Sequence, residues 1–259
     1  MVRGGGTLTG PRWRTRRRGW TSWRWAVAVP LIVVTTVLIL GSPVTSATYT
    51  IRVTPPYAGV APILATTINT VGCSSQGHFG SPMKVNSTAG SVRLIETASS
   101  RNCTGGFEFA VTFATAGFEG SDFAVPASGL YGVTYHWSFS YNVSLHAAGT
   151  GAAATAEASV FAVGVVVDVT NGSILTGTGG DSFVLFHALH SGDWSQVVRA
   201  LPVTLENGVN LVTGHVYEFY TFLECDVTAE ETGSGSAHGS LDMGVDGNRA
   251  NLVSMTLSG

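Results

Sequence analysis

YGVTYHWSFSYNVSLHA, residues 131–147, alternates without a break. Tyr131, Val133, Tyr135, Trp137, Phe139, Tyr141, Val143 and Leu145 fall on one side, and small or polar residues fall on the other. Successive side chains of a strand point to opposite faces, so this is a β-strand with one strongly apolar face. Such a face either fills a core or grips a ligand. The expectation here is core, because a two-sheet sandwich needs one apolar face per strand to fill a layer about 10 Å thick.

Working outward, period two continues almost everywhere and no amphipathic helix stands out. TYTIRV (48–53) alternates up to Pro55-Pro56. FEFAVTFA places Phe107, Phe109, Val111 and Phe113 on one face, which is expected to join the core. EASVFAVGVVVDV runs into Asn171-Gly172, a hairpin signal because both residues tolerate the positive φ of a type I′ turn. FVLFHAL (183–189) and VVRALPVTL (197–205) read as shorter strands, with Pro202 pointing to a sheet edge. From 215 to 230, Tyr217, Phe219, Leu223, Cys225, Val227 and Ala229 oppose Glu218, Tyr220, Phe222, Glu224, Asp226, Thr228 and Glu230. Ala237, Gly239, Leu241, Met243 and Val245 alternate back, and a final strand ends at Leu257. Ten or more strands with Gly-rich turns and no helical crossovers specify an all-β, antiparallel β-sandwich of jelly-roll type.

The N-terminal part has a different character. Seven of the 13 basic residues precede residue 25, and the uncharged apolar run 26–41 follows. SPVTSA then places small residues at 45 and 47. This is the pattern of a secretory signal peptide, 1–47, cleaved after Ala47; an uncleaved anchor at 26–41 is the alternative. Sixteen helical residues span roughly 24 Å, short of a ~30 Å hydrocarbon core, which favours cleavage over a stable membrane span. The remaining 212 residues, 48–259, are expected to form one domain, secreted or at the cell surface.

Without the leader the chain holds six basic against 16 acidic residues, a net charge of −10. A phosphate backbone would be repelled, so nucleic acid is excluded as a partner. Of the three cysteines, Cys73 and Cys103 sit in Gly/Ser/Asn-rich segments and are expected to form a disulfide, leaving Cys225 as an apolar thiol. Sequons occur at Asn86, Asn102, Asn142 and Asn171, candidates for glycosylation.

Chemistry is less legible. No H-E-x-x-H, Cys/His cluster or G-x-S-x-G elbow occurs, so zinc and serine-nucleophile chemistry have no anchor. If the segment 215–246 forms an in-register hairpin, Asp242 lies opposite Glu224 or Asp226, and the three carboxylates suit Ca²⁺; a solvated acidic face is the plainer alternative. Tyr220 and Phe222 stand on the polar side of their strand and, with Trp194, could make a stacking platform for a glycan. A jelly-roll glycoside hydrolase, with Glu108, Glu157, Glu218 and Glu224 as strand-borne carboxylates, is the enzymatic alternative. A third option has 48–54 leave its own sheet and lie in a neighbour's open edge, building a polymer. The sequence-based expectation is a non-enzymatic exported sandwich serving adhesion, envelope structure or ligand binding, with no cofactor beyond Ca²⁺.

Overall fold

A computed structural model of the protein describes residues 49–57, 61–81, 83–101, 107–149, 154–175, 181–233 and 235–259, all within the compact unit Thr45–Gly259. Residues 1–47, the expected leader with its expected cleavage site, and Asn102 and Cys103 lie outside the described residues. Fifteen strands are described. They are β1 (Thr50–Val53), β2 (Ala61–Val71), β3 (Gln76–Phe79), β4 (Lys84–Asn86), β5 (Ser91–Arg93), β6 (Ile95–Arg101), β7 (Phe107–Phe123) and β8 (Gly129–Gly149). They continue as β9 (Ala154–Asp168), β10 (Ser173–Leu175), β11 (Asp181–Leu189), β12 (Gly192–Leu211), β13 (Tyr217–Thr232), β14 (Gly235–Asp242) and β15 (Arg249–Ser258). No helix among the described residues is long and apolar enough to cross a membrane.

Two antiparallel sheets pack face to face. Sheet A is built on the order β6-β14-β8-β12, and sheet B on β7-β13-β9-β11. Within these eight strands the chain changes sheet at β6–β7, β7–β8, β8–β9, β11–β12, β12–β13 and β13–β14, the interleaved wrap of a jelly roll; β1–β2 and β2–β3 cross as well. In sheet A, β15 continues the line of β14 along β8, with β1 and β5 beside it; β2 extends sheet B beyond β7.

The opening stretch is core. Tyr135 and Phe139 are fully buried, and Trp137 and Tyr141 are 1 % exposed. The polar ends of Trp137 and Tyr135 are bonded, as burial demands. Trp137 Nε1 donates to Thr221 Oγ1 (3.1 Å), and the Tyr135 hydroxyl donates to the Val165 carbonyl. Against this aromatic wall sheet B presents mostly small residues: Ala110, Ala114, Ala116, Ala156, Ala158 and Ala162, all fully buried. Phe118 and Phe219 of sheet B do enter the layer, against Trp137 and Tyr135, but elsewhere small residues must face the large rings of β8 if the layer is to close at native packing density.

That complementarity reverses one expectation. Phe107, Phe109, Val111 and Phe113 do not enter the core; Glu108, Ala110, Thr112 and Ala114 do, and the phenylalanines line the outer face of sheet B. Other differences are local. The β9–β10 hairpin forms, but over the four-residue loop 169–172, with positive φ at Gly172 alone of the Asn-Gly pair. Strand β12 is longer than expected and, among the described residues, pairs only with β8, so Pro202 does lie on an edge strand. Strands β13 and β14 belong to opposite sheets rather than to one in-register hairpin. Strand β1 lies in its own chain's sheet, pairing Thr50 with Ser258 through Val53 with Met255, and is not held out for a neighbour.

Candidate functional site

The outer face of sheet B collects what the core excluded. Because directly paired residues share a face, the register reads across the sheet as rows. One row is Thr67, Phe113, Asp226, Ser159 and Phe186; the next is Ala65, Thr115, Glu224, Phe161 and Phe183; a third is Ile63, Gly117, Phe222 and Val163. Thr228 and Glu157 pair in the row on the other side of Asp226. Aromatic rings therefore surround a short run of carboxylates. Phe161 and Phe183 meet edge-on at 4.6 Å, Phe183 and Phe186 lie 5.6 Å apart, and Tyr220 and Phe222 meet at 78°. Phe183 and Phe186 are about half exposed, at 48 % and 51 %.

At the centre the polar groups are unusually dry for an outward face. Asp226 is 8 % exposed and Ser159, directly opposite, 1 %. Thr228 Oγ1 donates to Asp226 Oδ1 (3.0 Å), while the Ser159 hydroxyl has no protein partner. Burial pushes the Asp226 carboxyl up to about 7; the Thr228 bond opposes that, and the charge of Glu157 adds to it. Nearer the strand start, burial and the charges of Glu119 and Asp122 raise Glu218. The arrangement offers flat apolar surfaces beside hydrogen-bond acceptors, the composition of a site for a partly apolar, hydroxyl- or amine-bearing ligand.

The expected site residues divide between places. Glu224 and Asp226 do stand together on β13. Asp242 does not join them: in sheet A it accepts from Gly244 N (2.7 Å) and Val245 N (3.0 Å), capping the turn before β15. The expected three-carboxylate Ca²⁺ set is not assembled, and among the described residues no three His, Cys, Asp or Glu side chains form a metal-binding group. Trp194 is likewise separated from Tyr220 and Phe222. On β12 it stacks on His187 of β11 (3.8 Å, 9° between planes), closing the sandwich where the edges of the two sheets meet. The phenylalanines of β7, β9 and β11 were missed as site residues. Their signal was present as a second apolar face opposite strands already rich in alanine.

Two of the hydrolase candidates, Glu157 and Glu224, share the outer face of sheet B, and Glu218 lies on the same side. Glu108 points inward and accepts from Ser74 N (3.2 Å) and Ser74 Oγ (3.0 Å). Of the sequons, Asn171 is exposed but donates through Nδ2 to Asp168 Oδ2 (3.0 Å); Asn142 accepts from Arg199 (3.1 Å) and Asn86 from Ala89 N (3.3 Å). Cys225 is a buried free thiol, as expected.

No family model and no curated protein matches the chain. Among solved structures, a carbohydrate-binding module in complex with β-1,4-galactotriose is similar with a TM-score of 0.18 and 9 % identity, over 68 % of this chain and 83 % of that one. A likeness of that degree carries no argument about the ligand of this chain.

Proposed function

We propose that the protein is an exported, non-enzymatic jelly-roll module that binds a glycan on the outer face of sheet B. The observation that carries this reading is the row Phe113–Asp226–Ser159–Phe186, flanked by Phe161 and Phe222. Pyranose rings present C–H faces that pack on aromatic surfaces and hydroxyls that need acceptors and donors, and this face supplies both within one strand spacing. The basic and apolar leader supports export. Tyr220 and Phe222 keep the stacking role read from the sequence, with Phe113 and Phe161 in place of Trp194.

The test is binding of the secreted protein to an immobilised panel of oligosaccharides. Phe161→Ala and Phe222→Ala should each weaken binding about tenfold, by loss of roughly 1–2 kcal/mol of ring contact, with the fold retained. Retention of full affinity in the double variant would sink the reading. A raised carboxyl at Asp226 beside Glu157 is also the pattern of an acid–base pair. Release of shortened oligomers, abolished by Asp226→Asn, would replace binding by hydrolysis.

A further inference from the structure

Charge is sorted between the two sheets. The strands of sheet B carry 11 of the 16 acidic residues and no lysine or arginine. All six lysine and arginine residues of 49–259 lie on strands of sheet A: Arg52, Lys84, Arg93, Arg101, Arg199 and Arg249. On the outer face of sheet B Glu230 is exposed, but the acids at the centre of the face do not stand off into solvent, as they would if they served only solubility. Asp226 is 8 % exposed, Glu224 is half-buried beside Phe161, and Glu157 is half-buried between Thr228 and Ala188. Keeping carboxylates in apolar surroundings costs free energy that a bound cation would return.

Resting on the glycan reading, we propose that the ligand is an amine-bearing, cationic saccharide chain, whose ammonium groups sit at Asp226, Glu157 and the Ser159 hydroxyl while its rings lie on Phe161, Phe113 and Phe222. Three independent features converge on a cation. Acidic groups lie around the centre of the face, and a hydroxyl there, 1 % exposed and without a protein partner, is free to accept or donate. Aromatic ring faces attract a cation through their quadrupole, most strongly where water is thinned. The hydrogen bond that Asp226 receives on this face comes from a neutral hydroxyl, so no protein cation competes for it. A neutral saccharide would use the rings but would leave the carboxylate charge uncompensated. An anionic one would be repelled.

The secreted full-length protein is titrated with a glucosamine hexamer and, separately, with its fully N-acetylated counterpart, which has the same backbone and no charge. The pH is about 7, at the upper end of the range in which the amines keep a proton, because the Asp226 carboxyl is raised to about 7 in the free protein and must ionise to meet them. The cationic hexamer should bind at least about tenfold more tightly, with the difference shrinking as salt is raised. Asp226→Asn and Glu157→Gln should each remove most of that difference, weakening the cationic hexamer far more than the neutral one. Equal affinity for the two hexamers would overturn the charge inference and leave the glycan reading standing. Binding of hexalysine but of neither saccharide would overturn both. Should either variant fail to fold, the comparison of the two hexamers on the wild-type protein decides the matter alone.

Discussion

Asp226 shows how a single residue can set the conditions under which the protein is most stable. Its carboxyl is buried among rings and pushed up to about 7. In the unfolded chain it returns to about 3.9. A carboxyl whose folded value is raised binds a proton more readily in the native state, so its favourable contribution is complete at low pH and is lost as pH rises through about 7. Thermal unfolding followed from pH 4 to pH 8 should show Tm falling across that interval, and Asp226→Asn should flatten the decline. A variant whose profile parallels the wild type would contradict the assignment. Burial raises Glu96 in the same direction, aided by the charge of Asp226 and opposed by its bond from Thr112, so some slope should persist in the variant. A second residue-scale case is Gly164, where an added Cβ would run into the buried ring of Tyr135. Gly164→Ala should destabilise by roughly 1–3 kcal/mol, read by denaturant unfolding, since an overpacked core must shift a ring held by its own hydroxyl.

At the scale of the element, β7 and β8 make the instructive pair. Alternation located both strands, but alternation alone does not say which face turns inward when both are apolar enough to be buried. In β8 the opposite face is Gly, Thr, His, Ser and Asn, so the choice was forced. In β7 the alternatives were Phe/Phe/Val/Phe and Glu/Ala/Thr/Ala, and hydrophobicity favoured the wrong one. The aromatic wall of β8 occupies most of the interlayer space, so that over 108–116 β7 turns in its smaller face, with Ala110, Ala114 and Ala116 fully buried. A matched pair of substitutions tests this. Phe109→Ser, on the outer face, should change stability by less than about 1 kcal/mol, whereas Ala110→Leu, in the core, should cost about 1–3 kcal/mol. The reverse ranking in denaturant midpoints would restore the sequence-based orientation.

For the whole molecule, closure of the sandwich depends on segments distant in sequence. Tyr49 exchanges backbone hydrogen bonds with Gly259 (2.8 and 3.0 Å), and the Tyr49 hydroxyl donates to Ala124 O (2.8 Å). Strand β1 thus shields the edge of β15 and ties the first described residue to the last. Removing residues 48–54 should lower Tm by several degrees, the loss of four paired residues and a tyrosine contact, without altering the oligomeric state measured by light scattering. A truncated protein that keeps its Tm but fails to assemble would instead favour exchange of this strand between copies.

What the sequence determined by itself was everything that depends on local period and composition. The β class, the buried face of β8, the edge position signalled by Pro202, the hairpin at Asn171-Gly172 and the inward thiol of Cys225 follow from alternation, turn chemistry and polarity, which act over a few residues. Strands β2 to β6 escaped notice because their period is broken by Gly, Ser and Thr, and their place comes from pairing: β2 with β7, β6 with β14, β3 with β6, β5 with β15 and β4 with β5. The candidate site was half visible. Glu224, Asp226, Tyr220 and Phe222 could be read from one strand, because side chains two residues apart share a face. Their union with Phe113, Ser159 and Phe161, and the separation of Asp242 and Trp194 from them, were decided only in the tertiary structure. Which strands become neighbours, and which of two apolar faces is enclosed, depends on how side chains from both sheets share a layer of fixed thickness, and no single strand contains that information.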